Sequence, residues 1–468
     1  MSSEAPLYQA RIPIYPRSVK GRFRNIKWAI LGLAYGVYFL LPWLRWERVV
    51  GPDQAVLFDI YDRRFYIFGL VVHAQDIFWL AGFLVVAALL LFFVTTIAGR
   101  VFCGYFCFQT LWSDVFVLIE RLVQGERPAR IRLDRAPWTF GKVWKKVLTH
   151  LLWLAVGFWT GLTFTLYWGD APVLIREFFT GSAPFAAYAS TLFITATTYV
   201  MAGMAREQVC TYMCPYARFQ GVMVDQDTLT VAYDEQRGES GAGRARIDRG
   251  LKAREERQAA GVGDCIDCGF CVQVCPVGID IRNGLQYQCI NCGLCIDACD
   301  NIMDSLGWPR GLIRYSSERE RQGGHARLLR PRSLGYGLAL LAAVAALVAS
   351  IVTEAPIEMA VSQVRQPLFV TLSDGRIQNS YEIKLNNKTE QTLMLDVSIE
   401  GLEHAELDLG HLQYLALVPE ESMRVFVRVR APAPPGGGAH SFDFVLSSPV
   451  GAIESIRRRA LFYVPGGE

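Results

Sequence analysis

Cys265-Ile-Asp-Cys268-Gly-Phe-Cys271-Val-Gln-Val-Cys275-Pro276 and Cys289-Ile-Asn-Cys292-Gly-Leu-Cys295-Ile-Asp-Ala-Cys299-Asp300 are two copies of one pattern, C-x2-C-x2-C-x3-C, with all four cysteines repeated at an offset of 24 residues. Three thiols spaced this way wrap one face of an inorganic cage on a short loop. The fourth, further along, starts a turn or helix leading to the neighbouring site. Gly269 and Gly293 stand where the chain must bend close to that cage, which a residue without Cβ does at least steric cost. The copies differ after the fourth cysteine, where Pro276 is matched by Asp300; this removes no ligand but is expected to loosen the backbone there.

The spacing is that of bacterial two-cluster ferredoxins, in which the fourth cysteine of each run serves the other cluster. The expected ligands of one 4Fe-4S cluster are therefore Cys265, Cys268, Cys271 and Cys299. Those of the second are Cys275, Cys289, Cys292 and Cys295. Zinc, the other metal that paired C-x2-C motifs bind, takes four ligands in two separated pairs and suits two complete runs of four less well.

Working outward, the chain has 468 residues, of which 52% are hydrophobic and only 19% charged. A soluble globular chain carries about 25% charged residues, so the excess points to a membrane protein. Twelve cysteines are too few for a disulfide scaffold of this length, 12% aromatic residues argue against disorder, and a net charge of +3 carries no nucleic-acid signal. Five stretches reach the roughly 20 residues that cross a bilayer: Ile26–Trp43, Ile77–Ala98, Leu148–Trp168, Pro184–Ala205 and Leu334–Thr353.

Arginine and lysine crowd the segment before the first span (Arg11, Arg17, Lys20, Arg22, Arg24), the 99–147 stretch and the segment before the fifth span. The positive-inside rule places these in the cytoplasm. An odd number of spans then leaves residues 355–468 outside. The first span reads as a retained anchor rather than a cleaved signal. The expected plan is a multi-domain membrane protein of the bacterial inner membrane: an α-helical transmembrane bundle of five spans, a two-cluster ferredoxin-like insert and a C-terminal immunoglobulin-like β-sandwich. Its parts are a cytoplasmic segment (1–25), a four-span domain (26–232), the cytoplasmic insert (233–333), a fifth helix (334–353) and a periplasmic domain (354–468). Gly238–Gly243 reads as a hinge and Arg244–Ala260 as a solvated helix or tether.

The other four cysteines form a second repeat. Cys103-Gly-Tyr-Phe-Cys107 follows span two and Cys210-Thr-Tyr-Met-Cys214-Pro215 follows span four, so spans one–two and three–four read as a duplicated hairpin. Cysteines four apart share one side of a helix, and two such pairs can converge. Three readings stay open: a metal site, since soft thiolates suit Cu(I) or an iron–sulfur centre; a dithiol relay; or buried packing cysteines. His73 and His150 are isolated and read as packing residues. No nucleotide-binding glycine motif is present.

After Thr353 the chain changes to short alternating runs, Leu368–Leu372, Tyr381–Leu385, Leu393–Ile399, Met423–Val429, Phe442–Leu446 and Ala460–Val464, separated by turns such as Ser373-Asp-Gly375 and Pro432–Gly438. Six or seven strands in this length suggest the β-sandwich, either a docking module or a stabilising cap.

Together with Tyr233-Asp-Glu-Gln-Arg-Gly-Glu239, these motifs in this order resemble the CcoG/FixG/RdxA family of cytochrome oxidase accessory proteins over essentially the whole chain. The first C-x3-C departs from the second in lacking the proline. The resemblance implies a membrane-bound iron–sulfur protein reducing Cu(II) to Cu(I) for maturation of a cbb3-type cytochrome c oxidase. Cys210 and Cys214, with Cys103 and Cys107, would be the copper or thiol relay. The implied partners are the oxidase assembly machinery, copper transporters or chaperones, a cytoplasmic electron donor and membrane lipid. The alternatives are a quinol-linked electron-transfer subunit and a non-enzymatic assembly scaffold.

Overall fold

A computed structural model describes residues 13–73, 76–247, 251–389, 391–410, 415–448 and 455–465. Arg11 and the rest of residues 1–12 of the N-terminal segment, and residues 248–250 of the tether, lie outside the described residues. The chain divides into two compact units: Met1–Trp46 with Gln54–Leu347, and Glu47–Asp53 with Val348–Glu468.

In the first unit, six helices among the described residues are long and apolar enough to cross a membrane. They are Arg22–Trp43, Ile77–Ala98, Val101–Gln124, Phe140–Leu166, Phe185–Ala205 and Pro331–Val352. Five coincide with the expected spans. The sixth lies in the basic 99–147 stretch expected between spans, which forms the helices Val101–Tyr105, Phe108–Gln124 and Arg127–Arg135. Phe108–Gln124 escaped notice because it carries Asp114, Glu120 and Arg121, charges that read as solvent-facing. In the fold Asp114 meets Lys27 at 3.0 Å and Arg24 at 3.4 Å, while Glu120 meets Arg130 at 3.0 Å and also Arg206. Pairing is what lets such charges be buried.

Small residues allow a close helix approach. A Cβ at Gly161 would fall 2.4 Å from the Thr191 carbonyl oxygen, and Thr165 meets Thr191 at 2.8 Å, so Phe140–Leu166 packs directly on Phe185–Thr198. The first helix packs on the same hairpin, with the Tyr38 hydroxyl donating to the Thr160 carbonyl at 2.8 Å. Between the first two spans the chain forms a three-stranded antiparallel sheet, Val56–Asp59, Arg64–Ile67 and Leu70–His73.

The cysteine-rich insert is closed by pairing Thr230–Tyr233 antiparallel with Ile313–Ser316. Its core is Val231, Ile281, Ile296, Met303, Leu312 and Ile313. The hinge reading is corrected here, and the 244–260 stretch holds the expected helix, Arg254–Ala259, but not as a free tether. Gly238 is buried, with no room for a Cβ against Tyr233. Arg257 is fully buried and donates to the carbonyls of Gly263, Cys265 and Ala245. The polar stretch is therefore a wall of the insert, because its arginine satisfies carbonyls that would otherwise be orphaned. Asp300 does not loosen the backbone: its carboxylate accepts from the Gly311 amide at 3.1 Å, and the Leu294–Leu306 helix runs through it.

The second unit has, as expected, two facing antiparallel sheets. One orders Glu406–Asp408, Ser422–Ala431, Ile377–Asn387 and Ile357–Gln363, with Val370–Thr371 also on Ile377–Asn387. The other orders Leu415–Leu417, Leu393–Glu400, Gly438–Ser447 and Ile456–Val464. Strict alternation over Leu393–Val397 and Val425–Val429 drives the inward faces together around Tyr381, Phe442 and Phe444.

Candidate functional site

The cysteine loops take their shape from left-handed residues at matched positions. Asp267 and Asn291 have φ of 49° and 51°, and Gly269 and Gly293 have φ of 64° and 71°. Each glycine precedes a helix, Phe270–Gln273 or Leu294–Leu306. Two cavities result. One is lined by Cys265, Cys268, Cys271 and Cys299. The other is lined by Cys275, Cys289, Cys292 and Cys295, with Cys271 on the shared wall.

Among the described residues, no three His, Cys, Asp or Glu side chains close on a single metal ion. Each cavity instead gathers four cysteines, one thiolate for each iron of a cubane, so the residues present fit 4Fe-4S clusters. Burial first, and then neighbouring thiols, push Cys275 up to about 12. Burial also pushes Cys271 up to about 12 and Cys289 up to about 11. Such thiols shed their protons only to a cationic centre.

The C-x3-C pairs form a second, pseudo-symmetric set. Four residues before each pair the span breaks at a positive φ, Gly99 (56°) before Cys103 and Arg206 (38°) before Cys210. Cys103 lies in the short Val101–Tyr105 helix and Cys210 in a π-helical turn, Val209–Met213. Cys107 and Cys214 are extended, each at the N-cap of the next helix, Phe108–Gln124 or Pro215–Met223. This corrects the expectation that each pair shares one helix face. The chain turns between the cysteines, placing the second at the positive end of a helix dipole.

The halves are tied crosswise. The Gln109 amide donates to the carbonyls of Met201 (2.8 Å) and Arg206 (3.2 Å). Gln220 accepts from the Cys103 thiol (3.0 Å) and donates to Thr95 (3.3 Å). The thiols of Cys103, Cys107, Cys210 and Cys214 come within electrostatic reach of one another.

This quartet abuts the second cysteine loop. A Cβ at Gly104 would lie 2.6 Å from the Ile290 carbonyl oxygen and 3.0 Å from the Cys292 Cα. The Tyr105 hydroxyl donates to the Cys292 carbonyl at 2.9 Å, and Cys103 shares a buried cluster with Ile290, Cys292 and Cys295. Arg100 bridges them, donating to the Tyr287 carbonyl and lying 4.0 Å from the Cys103 sulfur. On the far side, Asp297 caps the first helix, accepting from the amides of Phe23 (3.1 Å) and Arg24 (2.7 Å). Arg100, Gln220 and Asp297 were missed from sequence because each acts on residues far along the chain.

His150 is satisfied by the Tyr199 hydroxyl at 2.9 Å, and His73 sits 3.6 Å from Asp76.

The family model for a 4Fe-4S dicluster domain matches residues 205–318, and that for the IG-like fold at the C-terminal of FixG matches residues 347–465. Protein RdxA of Cereibacter sphaeroides is 45% identical over 406 residues, covering 85% of this chain and 84% of RdxA. Protein RdxB of the same organism is 43% identical, covering 90% of each chain. Nitrogen fixation protein FixG of Rhizobium meliloti is 41% identical, covering 86% of this chain and 82% of FixG. Membrane-length helices, a dicluster domain and an immunoglobulin-like C-terminal domain accompany relatives that match nearly end to end, and the chain belongs to the CcoG/FixG/RdxA family.

Proposed function

We propose that the protein is an iron–sulfur cupric reductase that supplies Cu(I) for assembly of a cbb3-type cytochrome c oxidase. The observation that carries the reading is the direct packing of Cys103-Gly104-Tyr105 on the Ile290–Cys292 backbone. It brings a soft four-thiol site into direct contact with the dicluster insert. Cys265, Cys268, Cys271 and Cys299 would hold one cluster, and Cys275, Cys289, Cys292 and Cys295 the other. When bound, the clusters supply electrons singly, matching Cu(II) + e⁻ → Cu(I).

The chain's own residues do the rest. Cys103, Cys107, Cys210 and Cys214 offer thiolates that favour Cu(I). Cys210 also lines a cavity whose walls carry Gln109 and Glu207 together with Arg17, Arg24, Arg121 and Arg206. Gln109 and Gln220 hold the two halves in register. In this reading the 101–124 stretch, broken at Cys107 and carrying the paired Asp114 and Glu120, packs on the spans without crossing; the other five then leave the N-terminus and residues 233–333 cytoplasmic and residues 354–468 periplasmic, with the copper-transport and oxidase-assembly partners reached at the membrane.

The test is anaerobic. Dithionite-reduced protein, freed of reductant, is mixed with Cu(II), and Cu(I) is counted with a chelator alongside the cluster absorbance. One Cu(I) per electron stored is expected. Cys210→Ser/Cys214→Ser should abolish it while both cluster signals persist in paramagnetic resonance. Reoxidation by quinone but not by Cu(II) would favour a quinol-linked carrier instead.

A further inference from the structure

Beside Cys289 lies a cavity of about 430 Å³, within the range of small-molecule sites. Its walls include Arg100 from the break after Ile77–Ala98, Gly221 from the helix Pro215–Met223, Leu285 and Tyr287 from the segment before the second cysteine run, and Arg321 from the short helix Glu318–Arg321. Arg100 is 4% exposed, and its Nε is buried without a hydrogen-bond partner; Arg321 Nε is in the same position. Of the two acids on these walls, Asp225 is paired with arginine. Asp225 accepts from Arg330 and Thr228 and lies near Arg332, and Glu318 accepts from Gln322. Two guanidinium groups with N–H to spare, beside an Asp225 already paired with Arg330 and an exposed Glu318, make an anion site. Leu285 and Tyr287 are about half exposed and give the same cavity an apolar lip suited to a flat ring.

The neighbouring Cys289 adds a redox requirement. A reduced nicotinamide donates hydride, which a one-electron centre cannot accept, and a quinol carries no anionic group. A reduced flavin phosphate has a flat ring, an anion and the ability to give electrons singly.

We propose that this cavity binds a small anionic electron donor of the reduced flavin phosphate class, its phosphate on Arg100 and Arg321 and its ring against Leu285 and Tyr287. The proposal rests on the reading that Cys289 is a ligand of the second cluster. The step balances: the hydroquinone loses two electrons and two protons, the protons pass to solvent, and the electrons match the two one-electron centres of the dicluster domain. No covalent bond to the protein forms.

Equilibrium dialysis of the purified full chain in detergent against FMN and against riboflavin tests this. FMN is expected to bind once per chain, at least tenfold tighter than riboflavin, with that preference lost in Arg321→Gln. Gly221→Phe, at a position with no atom within 4 Å of its would-be Cβ, should abolish binding of both while leaving cluster reduction by dithionite unchanged. Equal affinity for the two flavins, or either variant behaving as wild type, overturns the proposal. Displacement of FMN by anionic lipid micelles would overturn it in favour of a lipid headgroup. Cu(I) formation from dithionite-reduced protein needs no flavin, so failure here is separable from failure of the copper reading.

Discussion

Gly104 is the tightest point between the thiol quartet and the second cysteine loop. With 2.6 Å available to a Cβ against the Ile290 carbonyl, Gly104→Ala must push the two backbones apart. Reacting groups are sensitive to displacements of about 1 Å, worth up to about a hundredfold in rate. Gly104→Ala is therefore expected to slow Cu(I) formation between about tenfold and a hundredfold with both cluster signals intact; an unchanged rate would show that electrons leave by another route. The cluster ligands have their own signature. Burial holds Cys271, Cys275 and Cys289 above the ordinary thiol range, so each gives up a proton on metal binding. Binding that releases protons strengthens as pH rises. Anaerobic iron–sulfide reconstitution of the apoprotein, followed by absorbance, should therefore improve at least about tenfold from pH 7 to pH 8, and a flat profile would contradict those thiol environments.

At the level of elements, Phe108–Gln124 joins the membrane helices to the cysteine chemistry. Its N-cap is Cys107, Trp112 donates to Thr160 at 2.9 Å, and the Phe116 carbonyl accepts from Trp153 at 3.1 Å. Its Glu120 lies between the guanidinium groups of Arg130 and Arg206. Removing one member of a buried ion group leaves the others uncompensated, at a cost of about 3–5 kcal/mol. Glu120→Ala should destabilise the membrane unit by that order in detergent unfolding, and Glu120→Ala/Arg206→Met should recover part of the loss. If the single variant unfolds like wild type, the pairing contributes little. Because Arg206 also provides the positive-φ break before Cys210, the same variant is expected to disturb the thiol site more than the dicluster core.

For the whole molecule, the prediction concerns sidedness. Basic residues cluster before the first and last spans and through 99–147, and the final helix Pro331–Val352 separates the dicluster insert from the β-sandwich. Alkaline phosphatase fused at the C-terminus should be active, and the same enzyme inserted near residue 240 should be inactive. The reverse pattern would put the clusters outside and remove access to a cytoplasmic donor. Within the first unit, Asp297 capping the first helix and Asn291 donating to the Ala98 carbonyl at 3.1 Å tie the insert to two membrane helices. The clusters would thus be held at a fixed distance from the quartet, as a wire requires.

What the sequence determined by itself is everything whose cause is local. Cysteine spacing prescribes the loops, because the ligands of one loop lie within a dozen residues. The length of apolar runs prescribes five membrane helices, and period-two alternation prescribes the sandwich strands. The tertiary structure alone decided what depends on partners far along the chain. A helix over 108–124 can bury Glu120 only because Arg206, 86 residues on, arrives beside it. The C-x3-C repeats form one thiol group only because Gln109 and Gln220 cross between the halves, and Gly104 becomes a contact only when Ile290 is folded against it. Spacing records which atoms can bind a cofactor. Which residues stand beside it follows from packing, and no periodicity encodes that.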